Sequence, residues 1–145
     1  MLQRAGLTVS GAWVPYWRYD TICMDESLAA QVSERFDVDL RPVAWPKSSP
    51  VEAFQLVIPT VGEAWYDPDE LAESAIVRHG KHYREPGARC PDCYVYRWLP
   101  PGALPRIRPH LSAEIPIVAS PEWFGSGWEA YREVVVRRDL AELIA

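Results

Sequence analysis

Residues 22–32 read ICMDESLAAQV and residues 134–144 read VVVRRDLAELI, and the two stretches align without a gap. Each opens with three apolar residues, passes through a polar turn and enters Leu-Ala. The apolar triplets have the makeup of short strands. Leu28 and Val32, four residues apart, fall on one face of a helix. Asp25 carries the short acceptor side chain that caps a helix N-terminus, so a helix is expected from there to about Arg35. Two readings of the echo stand side by side: chance, because strand–turn–helix units are common, or one strand–helix unit used twice.

Outward from the first stretch, AWVPYWRYDTICM (12–24) is strand material interrupted by Pro15. A proline cannot donate to a ladder, which makes the first part an edge or a loop. Asp37–Trp45 reads as a short strand and 46–50 as a loop. Phe54, Leu56 and Ile58 alternate with Gln55 and Val57, a half-buried strand that stops at Pro59. A helix is predicted over 68–79, with Asp67 as N-cap, Pro68 in the first position and Glu70 completing a capping box. Leu71, Ala75 and Ile76 form its apolar stripe, and Gly80 ends it. Tyr94–Leu99 has strand composition, and 100–109 is a stiff Pro-rich connector. Ile115–Ala119 and Glu133–Val136 are further strands, and a last helix begins near Asp139. The expected architecture is a single α+β domain over 1–145, with a mixed or antiparallel sheet and two to three helices.

A length of 145 residues with 48% hydrophobic and 24% charged residues suits one globular domain. Seven Trp, seven Tyr and fourteen Pro point to short strands, rigid loops and an aromatic core or binding face. No segment approaches the ~18 apolar residues of a membrane span. The first residues lack the layout of a secretory leader, and three cysteines are too few for a disulfide framework. These features make the cytoplasm the expected location. The net charge of −5 is unevenly spread. Residues 1–77 carry five basic and twelve acidic side chains, whereas 78–108 carry seven basic and two acidic ones.

His79, His82, Cys90 and Cys93 form the pattern His-x2-His-x7-Cys-x2-Cys. A tetrahedral zinc needs four N or S ligands, and two close pairs joined by a short loop supply them at little chain-closure cost. Four protein ligands would make the ion structural. Two other readings are open: a helix-end His79 with an exposed His82 and two reduced thiols, or a redox Cys-x2-Cys. The motifs of zinc proteases, serine hydrolases and phosphate-binding loops are absent. Gly125-Ser-Gly127 reads as a turn, and Cys23 as a buried inert thiol. The chain is therefore expected not to be an enzyme.

This pattern resembles the double-CXXCG motif family, bacterial proteins associated with immunity to polymorphic toxins. The matching residues are Ile22–Val32, Phe54–Ile58, Cys90-Pro-Asp-Cys93 with His79 and His82 upstream, Ile115–Ser120, Trp123-Phe-Gly and Val134–Ile144. One Cys-x2-Cys is present rather than two, and Tyr94 stands where the family has Gly. The resemblance implies a partner-binding protein that neutralises a cognate toxin, with Cys90 and Cys93 as metal ligands and His79 and His82 as co-ligands.

The acidic residues Asp20, Glu34, Asp37, Asp39, Asp67 and Asp69 suit a basic partner such as a nuclease toxin. Exposed aromatics among Trp13, Tyr16, Trp17, Trp123 and Trp128 would anchor it. The alternative is a zinc-containing nucleic-acid-binding module, using the basic 78–108 segment with Tyr94, Tyr96 and Trp98 as stacking surfaces. A metal-dependent enzyme with three ligands and a bound water ranks last.

Overall fold

Asp25 caps a helix as its side chain predicts. In a computed structural model, which describes residues 10–16, 18–44, 52–67, 92, 111–125 and 130–145, Asp25 Oδ1 accepts the Leu28 N–H at 2.8 Å. Helix α1 (Glu26–Arg35) follows, burying Leu28, Ala29 and Val32. It ends at Phe36, whose backbone turns extended. Oδ2 of the same Asp25 accepts the Gly11 N–H at 2.6 Å, so one carboxylate joins the helix start to the preceding hairpin. Gly11 has φ +70°, a left-handed conformation that disfavours any residue with a Cβ.

That hairpin consists of β1 (Ala12–Trp13) and β2 (Cys23–Asp25). Pro15 lies just beyond β1, which is two residues long and sits at the sheet edge as expected. Strands β3 (Asp39–Pro42) and β4 (Ala53–Val57) complete a four-stranded antiparallel sheet in the order β1-β2-β4-β3. β2 and β3 therefore run parallel with β4 between them, and β2-α1-β3 is a split β-α-β crossover. Strand β3 is shorter than the predicted 37–45. Its Pro42 is tolerated because it lies on an edge.

A second, two-stranded antiparallel sheet pairs β5 (Ile117–Ala119) with β6 (Val134–Val136). Helix α2 (Arg138–Ile144) follows. β5 starts later than predicted because Pro116 supplies no N–H and Ile115 closes a turn onto the Ser112 carbonyl at 3.1 Å. Among the described residues the architecture is α+β with two helices. The predicted helix at 68–79, the strand at 94–99, the connector at 100–109 and the His/Cys segment 79–93 lie outside the described residues, Asp92 excepted.

The period of two along each strand distributes the core. Met24, Leu56 and Ile117, with Leu28, Ala29, Val32, Phe36 and Leu140, make the main cluster between the sheet and both helices. Phe54 and Ile58 pack against it, as their alternation with Gln55 and Val57 predicts. The opposite pleat of the sheet holds a smaller cluster of Cys23, Val43 and Ala53, with Trp13 against it. In β6, Val134 and Val136 face the main cluster, while Val135 joins Trp65, Tyr66, Val118 and Phe124 in another. The β5–β6 ribbon is thus apolar on both faces because it separates two cores.

The echo between 22–32 and 134–144 is carried into three dimensions. Each stretch forms a strand followed by a helix, and both helices start at the same point of the alignment, Glu26 and Arg138. Leu28 and Leu140, which occupy equivalent positions, meet in the main cluster, where α1 packs on α2. A strand–helix unit is used twice around one core.

Candidate functional site

The sheet topology gathers the candidate residues at one end. β2 and β3 both run antiparallel to β4, so their first residues flank the C-terminal end of β4. With two strand spacings between them and a stagger from Gln55 to Val57 along β4, they stand about 12 Å apart. Residues 18–22 enter β2 there, and Asp37 and Val38 enter β3 there. The chain leaving β4 makes a parallel bridge, Thr60 to Ala119, which brings the segment following β5 to the same end.

Backbone alternation fixes which edge of β4 each neighbour takes. Ala53 O, accepting Val43 N–H at 2.8 Å, points to the β3 side, and Leu56 N–H, donating to Ile22 O at 2.9 Å, points to the β2 side. Pro59 O, six residues after Ala53, again points to the β3 side and accepts Ala119 N–H at 2.8 Å. β5 itself pairs only with β6, but this bond and the Thr60–Ala119 bridge set the end of β5 beside the chain just beyond β4. A cleft of about 190 Å³ lies there, lined by Asp37, Asp39, Val57, Pro59 and residues 115–117.

The same end of the sheet also carries exposed large side chains. Val14, Tyr16 and Tyr19 are 52%, 82% and 58% exposed, large values for side chains of this size. Tyr19 meets Tyr131 edge-on at 5.9 Å, Tyr131 lies tilted on Phe124 at 6.3 Å, and Phe124 meets Tyr66 edge-on at 5.9 Å. The rings form a continuous path from exposed Tyr19 to fully buried Phe124 and Tyr66. The Arg132 guanidinium stands 4.4 Å over the Trp123 ring.

A polar clamp supports these rings. Glu122 Oε1 accepts the N–H groups of Trp65 and Tyr66, and the Trp65 indole donates to Val61 O at 2.7 Å. The Tyr66 hydroxyl donates to Glu133. Ser120, fully buried, donates to Glu122 O at 2.9 Å and accepts Glu133 N–H at 3.1 Å. Burial, then the hydrogen bond to Glu133, drives the Tyr66 phenol far above its ordinary value. Burial, then the Glu133 charge, pushes Tyr131 up to about 12. Both rings are neutral phenols at physiological pH. Phe124 and Tyr131 form an isolated antiparallel bridge, and Gly125 beside it has a φ of +87°.

Of the acidic residues singled out from sequence, Asp37 and Asp39 are exposed at the cleft, and Glu34 is exposed in the last turn of α1. Asp20 is half-buried beside Tyr19, and one of its oxygens, Oδ1, is buried without a hydrogen-bond partner. Asp67 is half-buried. Trp123 is half-buried under Arg132, and Trp13 packs on the sheet beside Cys23 and Val43 rather than serving as an exposed anchor. Asp69, Trp128, Trp17, His79, His82, Cys90 and Cys93 lie outside the described residues. Among the described residues no group of three or more His, Cys, Asp or Glu could hold a metal ion.

Tyr19, Tyr131 and Arg132 were not among the residues singled out. No local pattern marks them, since their role depends on loops more than a hundred residues apart coming together. No protein-family model, no curated protein and no solved structure matches this chain. Among the described residues no helix is long and apolar enough to cross a membrane.

Proposed function

We propose that this chain is a non-enzymatic, cytoplasmic partner-binding protein of the toxin-immunity kind, which neutralises a cognate bacterial protein toxin by occupying its surface. What supports the reading is the joint delivery of exposed Tyr16 and Tyr19 with the exposed carboxylates Asp37 and Asp39 to one end of the sheet. Tyr and Arg are the residue types that anchor interfaces, because they bury large rigid area and still offer a polar tip. Tyr19 and Arg132 are already held by ring contacts, so little ordering cost remains on binding. The flanking carboxylates would steer a basic partner such as a nuclease and raise its association rate. The resemblance to the double-CXXCG family supports the same reading, and with it a structural zinc on His79, His82, Cys90 and Cys93.

The test is co-expression with the protein encoded by the adjacent gene. That protein should arrest growth by itself, and growth should return when this chain is supplied, with the two co-eluting on gel filtration. Tyr19→Ala combined with Asp37→Lys should remove protection while leaving the fold intact by circular dichroism. A harmless neighbour that does not co-elute would overturn the reading.

A further inference from the structure

The cleft beyond the C-terminal end of β4 is small, exposed at its mouth and two-natured. Its volume of about 190 Å³ lies below the roughly 300–1,000 Å³ of pockets that enclose drug-sized ligands, so it suits a single long side chain. Half-buried Val57 and Ile115 give it an apolar wall, and Ile117, buried in the main core, borders it. Asp39 opens β3 and Asp37 precedes it by two residues; both are exposed, and Val38 between them packs on the main core. The alternation puts both side chains on the side away from the core, with their Cα atoms roughly 7 Å apart. Neither forms an ion pair with a described residue, and the nearby Arg137 is engaged elsewhere. Its guanidinium donates to both Asp139 oxygens at 2.7 and 3.0 Å and to Ala113 O at 3.0 Å, and lies over the Phe36 ring.

We propose that this cleft receives one arginine side chain of the protein partner; the proposal rests on the partner-binding reading above. The aliphatic stem would lie on Val57 and Ile115 and the guanidinium would bridge Asp37 and Asp39. A planar fork with five donors spans two separated carboxylates, which a compact ammonium does less well. A hard divalent cation is a poorer occupant, since it needs six to eight oxygen ligands and the remaining wall is apolar. Strand addition on β3 is disfavoured because exposed Asp39 and Arg41 and the N–H-less Pro42 blunt that edge.

The probe is N-acetyl-arginine methylamide, titrated into the nitrogen-labelled full chain and followed by amide NMR. Saturable shifts should appear at Val38, Asp39, Val57, Ile115 and Ile117, with a dissociation constant on the order of 10 mM, weak as a single side chain must be. The lysine analogue should bind less well, and the uncharged citrulline analogue should leave these amides unmoved. Asp37→Asn with Asp39→Asn should abolish the shifts while preserving the rest of the spectrum. Absent saturation, equal response to citrulline or shifts that persist in the double variant would each overturn the proposal. With the cognate partner, the same variant should weaken binding about tenfold or more. A partner bound equally well by the variant sinks the cleft proposal and leaves the partner-binding reading standing. If wild type binds no partner, that reading fails, and the peptide titration still judges the cleft.

Discussion

Glu122 holds Trp65 by its main chain: Oε1 accepts the Trp65 N–H at 2.6 Å and, from the same oxygen, the Tyr66 N–H at 3.2 Å. The contact joins segments 57 residues apart and seats two fully buried aromatic side chains. A buried N–H left without an acceptor costs about 1–3 kcal/mol, more than a hydrogen bond contributes net. Glu122→Ala should therefore lower unfolding stability by about 2–4 kcal/mol. Glu122→Gln keeps an acceptor oxygen and should cost clearly less. Urea titrations of the two variants decide; equal losses would mean that the acceptor is not what matters.

Asp25 predicts an acid-side dependence. Hydrogen bonds from Leu28 N–H, and then from Gly11 N–H, hold its carboxyl below the ordinary carboxylate value. A depressed folded-state pKa contributes stability that is complete above the unfolded value of about 3.9 and disappears as pH falls through the folded value. Asp25→Ala should cost about 1–2 kcal/mol at neutral pH, the scale of a lost N-cap. The gap between wild-type and variant urea midpoints should narrow as pH drops below about 4. A gap that stays constant down to low pH would contradict this.

The alkaline side has the opposite sign. Burial pushes the Cys23 thiol up to about 11 and the Tyr131 phenol up to about 12. Raised values contribute stability that is intact below the unfolded pKa values, about 8.5 for Cys and 10 for Tyr, and is lost as pH climbs toward the folded ones. The fold should weaken progressively from about pH 9 upward. At pH 8 the tryptic peptide Tyr19–Arg35, which carries Cys23, should resist iodoacetamide in the native protein and react in guanidinium. Rapid native labelling would show the thiol to be accessible.

The repeated strand–helix unit predicts coupled leucines. Leu140 is fully buried, and Leu28, its equivalent, is 9% exposed in the same cluster. Leu140→Ala should cost about 3–5 kcal/mol, with Leu28→Ala toward the lower end of that range. Because both cavities open into one core, the double variant should depart from additivity by at least about 0.5 kcal/mol. A double-mutant cycle that closes to within error would separate the two leucines.

The proposed zinc is tested by metal analysis of the purified full chain. A single tightly held zinc is expected, lost in Cys90→Ser and in His79→Ala, with a lower unfolding temperature in both. A metal-free wild type of unchanged stability would remove it.

Local chemistry determined a good part of this protein. Asp25 announces a helix, Leu28 and Val32 name its buried face, Pro15 confines β1 to an edge, and Phe54, Leu56 and Ile58 mark the core face of β4. These features are legible because capping and periodicity depend on residues within one turn or one strand, and the gapless echo of 22–32 in 134–144 is legible for the same reason. The tertiary structure alone decided that β4 lies between β2 and β3 and that the chain leaving β4 bridges to the end of β5. It also decided that Tyr19 meets Tyr131, and that Glu122 is a clamp rather than an unplaced carboxylate. Those pairings join residues tens to more than a hundred positions apart. Their energy depends on which surfaces are buried together, which no short window of sequence contains.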